Sequence, residues 1–285
     1  MTLPPTAVMA PPISTIVEFL SEIIKIPRSE DRFLVFRGHR NYTWAVLPSI
    51  LRGSAQLLEA EKDISREIIS LYPSEFDLET STFDRLTKMQ HFGIATRLLD
   101  VTTNPMVALF IATEQMNEDD ENGLVLSFDG PNNRKKYFDS DAVSCKANLS
   151  NLTSNEKDTI ANSSARTIVE FNQLKPVRRL VQFIKSEKPC FLSEIVRTDL
   201  HKPYLVIPKM RNRRIIAQHG AFIIFGLDRE LGPTYSRDIK ARRIVVAKEA
   251  KADIRHERFK LGIHAGILFP EIDRSANQIM RRFLS

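Results

Sequence analysis

The stretch "MQHFGIATRLLDVTTNP", residues 89–105, governs the reading of the whole chain. Just upstream, "STFDRLTKMQHF" sets Phe83, Leu86 and Met89 or Gln90 on one helical face, so a helix is expected to run to about His91. Gly93 then supplies either a stop or a close backbone approach, because a residue without Cβ reaches conformations that others resist. The chain from Gly93 through Asp100 is expected to be irregular, with Phe92 entering the core and Leu98 and Leu99 as apolar anchors. A second helix is expected to open where Asn104 can cap free amides and Pro105 fits the first helical position, continuing into "MVALFIATEQM". The amides at that start either hold an anion or are satisfied by Thr102, Thr103 and Asn104.

Working outward, "PPISTIVEFLSEIIKI" predicts a helix over about 14–25, and "FLVF" a buried strand that ends where Arg37, Gly38 and His39 turn polar. Such an end is well placed to present an arginine to a pocket. "LLEAEKDISREIISLYPS" reads as helix and "LVLSF" as strand. The polar run from Asp139 to Ser164 is either a surface excursion or a mixture of short elements, and a helix is expected beyond Pro176. "YLVIP", "RIIAQHGAFIIFG" and "RRIVVAK" are strand-like, and "ADIRHERFKLG" and "DRSANQIMRRFL" helical. Strands mixed with helices at both ends imply an α/β or α+β fold, a single mixed domain with a central sheet flanked by helices. Residues 1–30 are read as an N-terminal helical extension, and 31–285 as the main domain with a variable polar excursion near 139–165.

The composition suits a globular protein with a substantial core, at 285 residues, 42% hydrophobic and 27% charged. The opening "MTLPPTAVMAPP" lacks a secretory pattern and no apolar run reaches bilayer length, so a cytoplasmic protein without a membrane partner is expected. Cys145 and Cys190 are too few for a disulfide scaffold and read as free thiols. A formal charge of +6 favours nucleic acid, nucleotides or other anionic partners. "PKMRNRR", "SRDIKARRIVVAKEAKADIRHERFK" and "MRRF" supply side chains able to contact phosphates, or else form a solvated face interrupted by Asp238, Glu249, Asp253 and Glu257. No phosphate loop, dinucleotide fingerprint, serine elbow or metal-binding "HExxH" is present, and no metal site is expected.

Four blocks, "FRGHRNYTWAVLPSILR", "MQHFGIATRLLDVTTNPMVALFIA", "AQHGAFIIFG" and "LGIHAGILFPEID", resemble the FRG domain family across about residues 33–274. The resemblance implies a bacterial or mobile-element protein of toxin or phage-defence type, with a cognate antitoxin or regulatory protein among its partners. It assigns the second block to the same region as Arg37 and the "AQHG" segment. Positions matching the recurring pattern include Arg37, Gly38 and Arg52, then Gln90, His91, Thr96, Arg97, Asp100 and Thr102, then Gln218. His39, Val101 and His219 depart from it.

A nucleotide-linked enzymatic site would use these residues as follows. Arg37 and Arg97 can make paired hydrogen bonds to phosphate oxygens, or else clamp internal carboxylates, with Asp100 the nearest in sequence to Arg97. His91 can transfer a proton near neutral pH or terminate its helix, and Asp100 can orient it, pair with Arg97 or act as a base. The arrangement is also similar to an ADP-ribosyltransferase, which would make nicotinamide adenine dinucleotide (NAD) the cofactor. On that analogy Arg37 holds the pyrophosphate and Thr96 or Thr102 the ribose, Gln90 or His91 shapes the reacting pocket, and Glu271 is the acidic alternative, because "IIAQHGAFIIF" has Gln218 and no nearby glutamate. The catalytic set is thus Arg37, His91, Asp100 and Glu271, and the substrate-binding set Gln90, Thr96, Arg97, Thr102 and Gln218. The competing reading is a noncatalytic nucleic-acid or protein interaction module. Convergence of Arg37, His91, Thr96, Arg97 and Asp100 on an open cleft is the geometric expectation of the enzyme.

Overall fold

A computed structural model describes residues 11–114, 121–228 and 238–270. Helix α1 (Ile16–Ile24) is capped by Thr15, whose hydroxyl accepts from the Glu18 amide, and buries Ile16 and Phe19. Strand β1 (Arg32–His39) follows, extending through the polar residues at which the sequence placed its end. Short helices α2 (Ser49–Arg52) and α3 (Ala55–Glu59) lead into α4 (Glu61–Leu71), α5 (Pro73–Phe76) and α6 (Thr82–His91). The segment 93–100 corrects the sequence reading: after Gly93 the chain enters strand β2 (Leu98–Thr102). An apolar pair followed by an exposed aspartate gives little period-2 signal, and the strand owes its existence to neighbours distant in sequence. Gly93 itself acts as the helix stop, with φ of 79° and open space around it.

Helix α7 (Pro105–Thr113) begins as its sequence dictates. Asn104 Oδ1 accepts from the Met106 amide at 2.9 Å and Thr102 Oγ1 accepts from the Asn104 amide at 3.0 Å, so its opening amides are capped rather than offered to an anion. Strands β3 (Gly123–Pro131) and β4 (Lys135–Tyr137) follow, then the helices α8 (Asp141–Ala147), α9 (Ser154–Ala161), α10 (Ile168–Gln173), α11 (Lys175–Glu187) and α12 (Arg197–His201). The polar run 139–164 is therefore a mixture of short elements. Its sparse apolar residues Leu149, Leu152 and Ile160 pack with Phe171, Val177, Leu180 and Ile184 in a helical core of their own. The chain ends in β5 (Tyr204–Ile207), α13 (Arg213–Ala217), β6 (Gly220–Ile224), β7 (Lys240–Val246), α14 (Lys251–Lys260) and α15 (Ala265–Leu268). "RIIA", read as strand, is the helix α13, opened by Asn212 whose side chain accepts from the Arg214 amide. The terminal helix expected in "DRSANQIMRRFL" lies outside the described residues.

The described strands form one sheet in the order β4-β5-β6-β2-β1-β3-β7, so the chain is a mixed α+β domain with helices flanking a central sheet. All neighbours are antiparallel except β4 and β5. One face buries Phe33, Val35, Leu99, Val101, Leu124, Leu126 and Ile223 beneath residues 42–51. On the other face, Phe36, Val125, Ile244 and Val246 meet α1, α7 and α14, while Leu98, Phe222 and Ile224 meet α6 through Phe83, Leu86 and Met89. Each such buried side chain contributes about 1.5–3 kcal/mol relative to exposure. Among the described residues no helix is long and apolar enough to cross a membrane.

Helix α7 lies so close to β1 that a Cβ on Gly38 would stand 2.1 Å from the Ala108 carbonyl oxygen. The triplet Phe36-Arg37-Gly38 thereby divides its work: Phe36 enters the core, Gly38 admits α7, and Arg37 between them points to the opposite face.

Candidate functional site

Strands β1 and β2 share a single register pair, Phe36 with Thr102, and then part. The Arg37 guanidinium occupies the opening. Its Nη1 donates to the Asp100 carbonyl at 2.6 Å and its Nε to His39 Nε2 at 2.8 Å. A side chain thus takes the carbonyl that a neighbouring strand would otherwise bond, and the sheet ends its β1–β2 ladder at a charged group. The Asp100 carboxylate is 3.9 Å away. Burial pushes the Arg37 pKa down to about 10, opposed by Asp100, so the group remains a cation at neutral pH.

His39 is buried, and its pKa is pushed down to about 3 by burial and by the charges of Arg37, Arg52 and Arg243. Its ring is therefore neutral, with Nε2 accepting from Arg37 and the hydrogen on Nδ1. Nδ1 makes no hydrogen bond of normal geometry, and the Trp44 backbone offers it only a weak one. This imidazole fixes Arg37 and is no proton shuttle near neutral pH.

Beside Arg37 a cleft of about 310 Å³ is lined by Gly38, His39, Arg40, Trp44, Arg52, Ile111, Glu114, Arg214 and Phe269. Its walls are two cation–π pairs, Arg40 over Trp44 at 5.4 Å and Arg214 over Phe269 at 4.9 Å. The side chain of Arg52, at the end of α2, has no hydrogen-bond or ion-pair partner among the described residues. Four arginines and one carboxylate, Glu114, contribute to the described lining, with Asp100 beside Arg37. Such a balance in a partly enclosed space concentrates positive potential and suits a phosphate or carboxylate ligand with a planar group.

Of the residues expected to converge here, Arg37 alone lines the cleft. Asp100 stands beside it, exposed, at the head of a relay: Gln90 Nε2 donates to Asp100 Oδ2 at 2.8 Å and Thr96 Oγ1 donates to Gln90 Oε1 at 2.6 Å. Thr96 is buried, and its hydroxyl oxygen accepts from the Leu98 amide, so no ribose meets it. Thr102 donates to the Gln218 carbonyl at 2.7 Å and is likewise occupied. Gln218 Nε2 donates to the Leu268 carbonyl at 3.0 Å, bracing the segment that carries Phe269. The turn after Gln218 places His219 at φ of 47°, a left-handed conformation. His91 lies 3.2 Å from Asn212 Nδ2, the capping residue of α13, and so supports the helix that brings Arg214 to the cleft. Phe92, expected in the core, is 58% exposed and packs edge-on to His91.

Arg97 is not brought to this face. Alternation along the chain turns it away from Asp100 into the interior, where Nε and Nη2 donate to Glu61 at 2.9 and 2.5 Å and Nη1 to the Gly226 carbonyl at 3.0 Å. Lys157 completes the group, 2.8 Å from Glu61. Burial works to raise the Glu61 pKa, but the two cations outweigh it and hold the carboxyl below its ordinary range. The arginine clamps an internal carboxylate, and the carboxylate is Glu61 rather than Asp100. Glu271 lies outside the described residues.

A family model, the FRG domain, matches residues 32–121, from the start of β1 to just before β3. No curated protein and no solved structure matches the chain.

Proposed function

Starting from a chain that contains an FRG domain, we propose a toxin or phage-defence effector whose Arg37 cleft binds the phosphates of a nucleotide or nucleic acid and acts on that ligand. The arginine lining of the cleft, in which the Arg52 side chain makes no hydrogen bond or ion pair among the described residues, carries the reading. With NAD as ligand, the pyrophosphate meets the free edge of Arg37 and the fork of Arg52, and a ring system stacks on the aromatic wall. Glu114 takes the acidic role that the sequence suggested for Glu271, placed to stabilise positive charge developing on a ribose as nicotinamide departs.

Trp44 is the only tryptophan and lines the cleft, so its fluorescence reports occupancy directly. Titration with NAD, ATP and a short oligonucleotide, followed by mass spectrometry for released nicotinamide or transferred ADP-ribose, tests the reading. Binding lost in Arg37→Ala and turnover lost in Glu114→Gln, both folded, support it. Failure of every phosphate ligand to perturb Trp44 overturns it.

A second reading, a noncatalytic binder, draws on the locked state of His39. The described lining offers one histidine, and that ring is spent as acceptor for Arg37. Ligand binding without turnover in the same experiment favours it.

A further inference from the structure

We infer that the cleft opens into a longer anion track in which Arg243 holds a second phosphate of a single-stranded nucleic acid. The inference rests on the phosphate-binding reading of the cleft and goes beyond it by naming the ligand as a phosphodiester strand.

The sheet register supplies the geometry. Arg37 on β1 pairs with Leu126 on β3, and Leu126 pairs with Arg243 on β7. Directly opposed residues project to the same face, so Arg37 and Arg243 share one face, two strand spacings or about 10 Å apart. Arg52 follows Leu51, which packs on the core of that face, and lines the cleft with Arg37. Arg243 is exposed, and the one side-chain hydrogen bond it makes among the described residues, Nη2 to the Tyr42 carbonyl at 3.0 Å, fixes the side chain and engages a single donor of its fork.

The charges of Arg37, Arg52 and Arg243 all bear on His39, which places the three around one point. Among the described residues, Asp100 pairs with this set through Arg37, and Glu114 lines the cleft with Arg37 and Arg52. Edge strands commonly carry cations to discourage pairing with other chains, a duty that Lys240 and Arg242 on the same exposed stretch already meet. Arg243 differs from them in sharing the Arg37 face of the sheet. Two cationic stations spaced this widely exceed the reach of one pyrophosphate group and suit successive phosphates of a strand. The exposed aromatic Trp44, in the cleft lining with Arg37, offers a base a surface on which to stack.

The test follows Trp44 fluorescence with an eight-residue oligothymidylate and with NAD over a range of salt. Each phosphate contact contributes roughly −0.7 to the slope of log affinity against log salt for a single strand. Arg243→Gln is expected to reduce the magnitude of the oligonucleotide slope by about 0.7 and to weaken binding, with Arg243→Glu weakening it further. NAD binding stays unchanged in both variants. Arg178→Gln, an exposed cation on the helical unit, leaves both ligands unaffected. Thermal melts confirm that each variant is folded. An unaltered slope in Arg243→Gln, an equal loss for NAD, or an oligonucleotide that does not bind while NAD does, overturns the track and leaves the cleft reading intact. Silence of Trp44 towards both ligands removes the cleft reading itself.

Discussion

Gln90 donates to the Asp100 carboxylate at 2.8 Å from the same amide whose oxygen accepts the Thr96 hydroxyl. One side chain from the last turn of α6 therefore fixes an exposed acid on the central strand and satisfies a buried donor behind it. The two duties separate experimentally. Gln90→Leu leaves the Thr96 hydroxyl buried without its acceptor, at a cost of about 1–3 kcal/mol read by urea unfolding. Gln90→Glu can still accept from Thr96 but sets a second carboxylate against Asp100 beside Arg37, so it is expected to weaken anion binding at neutral pH. A Gln90→Leu protein as stable as the parent would show that the relay is incidental.

Gly38 is held by sterics rather than by backbone freedom. Its φ is ordinary, yet a Cβ there meets the Ala108 carbonyl at 2.1 Å and the Ile111 Cβ at 2.8 Å. Gly38→Ala must therefore push α7 off the sheet, costing about 1–3 kcal/mol or more. Gly93, at φ of 79° with nothing around it, predicts a loss of only about 1 kcal/mol on Gly93→Ala. Because Ile111 and Glu114 line the cleft from the far end of α7, Gly38→Ala also weakens ligand binding, whereas Gly93→Ala leaves it intact. Equal effects of the two substitutions on chemical denaturation would contradict this account.

What the sequence disclosed divides along the range of the interactions. Asn104 and Pro105 announce α7 because a cap and its helix are adjacent in the chain, and Leu98 and Leu99 announce burial because their chemistry is their own. Strand β2 was hidden because it is made by β6 and β1, more than sixty residues away on one side and on the other, around an exposed Asp100. The partner of Arg97 was hidden for the same reason, Glu61 lying 36 positions earlier on another element. Arg37 was legible as an arginine at a strand end. Trp44, Glu114 and Arg214 were not, since they come from the β1–α2 connection, the end of α7 and α13, and only the fold brings them to one cleft. Arg52 carried a signal in its match to the family pattern, and its missing partner appears only in three dimensions.

The buried group around Glu61 makes an asymmetric prediction. Glu61→Leu strands Arg97 and Lys157 in the interior, a loss of about 3–5 kcal/mol. Arg97→Leu leaves Glu61 with Lys157 and costs less, although the Gly226 carbonyl loses its donor. Glu61 has its pKa lowered on folding, so its contribution is complete above the unfolded carboxylate range and fades as pH falls through the folded value. Acid unfolding of the parent should accordingly be steeper than that of a Glu61→Leu, Arg97→Leu, Lys157→Leu triple variant. Matching acid transitions would remove the network from the account of stability.

Lys146 acts in the opposite sense. Its amine is fully buried without a hydrogen-bond partner, and burial first, then Arg97, pushes its pKa down to about 7, against the pull of Asp199 and Asp228. Unfolded chains bind this proton up to about pH 10.5 while the folded one releases it near 7, so stability rises with pH above neutrality. From about pH 9 upward the Cys145 thiol, pushed up to about 12 by burial, opposes that rise, since the folded chain then keeps a proton that the unfolded one releases. Lys146→Met should raise the melting temperature at pH 7 and flatten its dependence between pH 7 and 9. A slope unchanged by the substitution would mean that another group titrates there.

His39 yields the sharpest readout at the cleft. With its pKa near 3 and Nε2 engaged by Arg37, the ring should hold one neutral tautomer throughout the range in which ordinary histidines titrate. Imidazole ¹⁵N spectra are expected to show no titration of His39 between pH 5 and 8. Ligand affinity at the cleft should be flat over the same interval, because neither the charge of Arg37 nor its orientation changes. His39→Gln retains an oxygen acceptor for Arg37 Nε and is expected to preserve most of that affinity, whereas His39→Leu removes the acceptor and frees the guanidinium to turn, lowering affinity about tenfold, the equivalent of about 1.4 kcal/mol. Titration of the ring near pH 6.5, or an affinity that falls as it protonates, would show that the Arg37–His39 hydrogen bond does not organise the site.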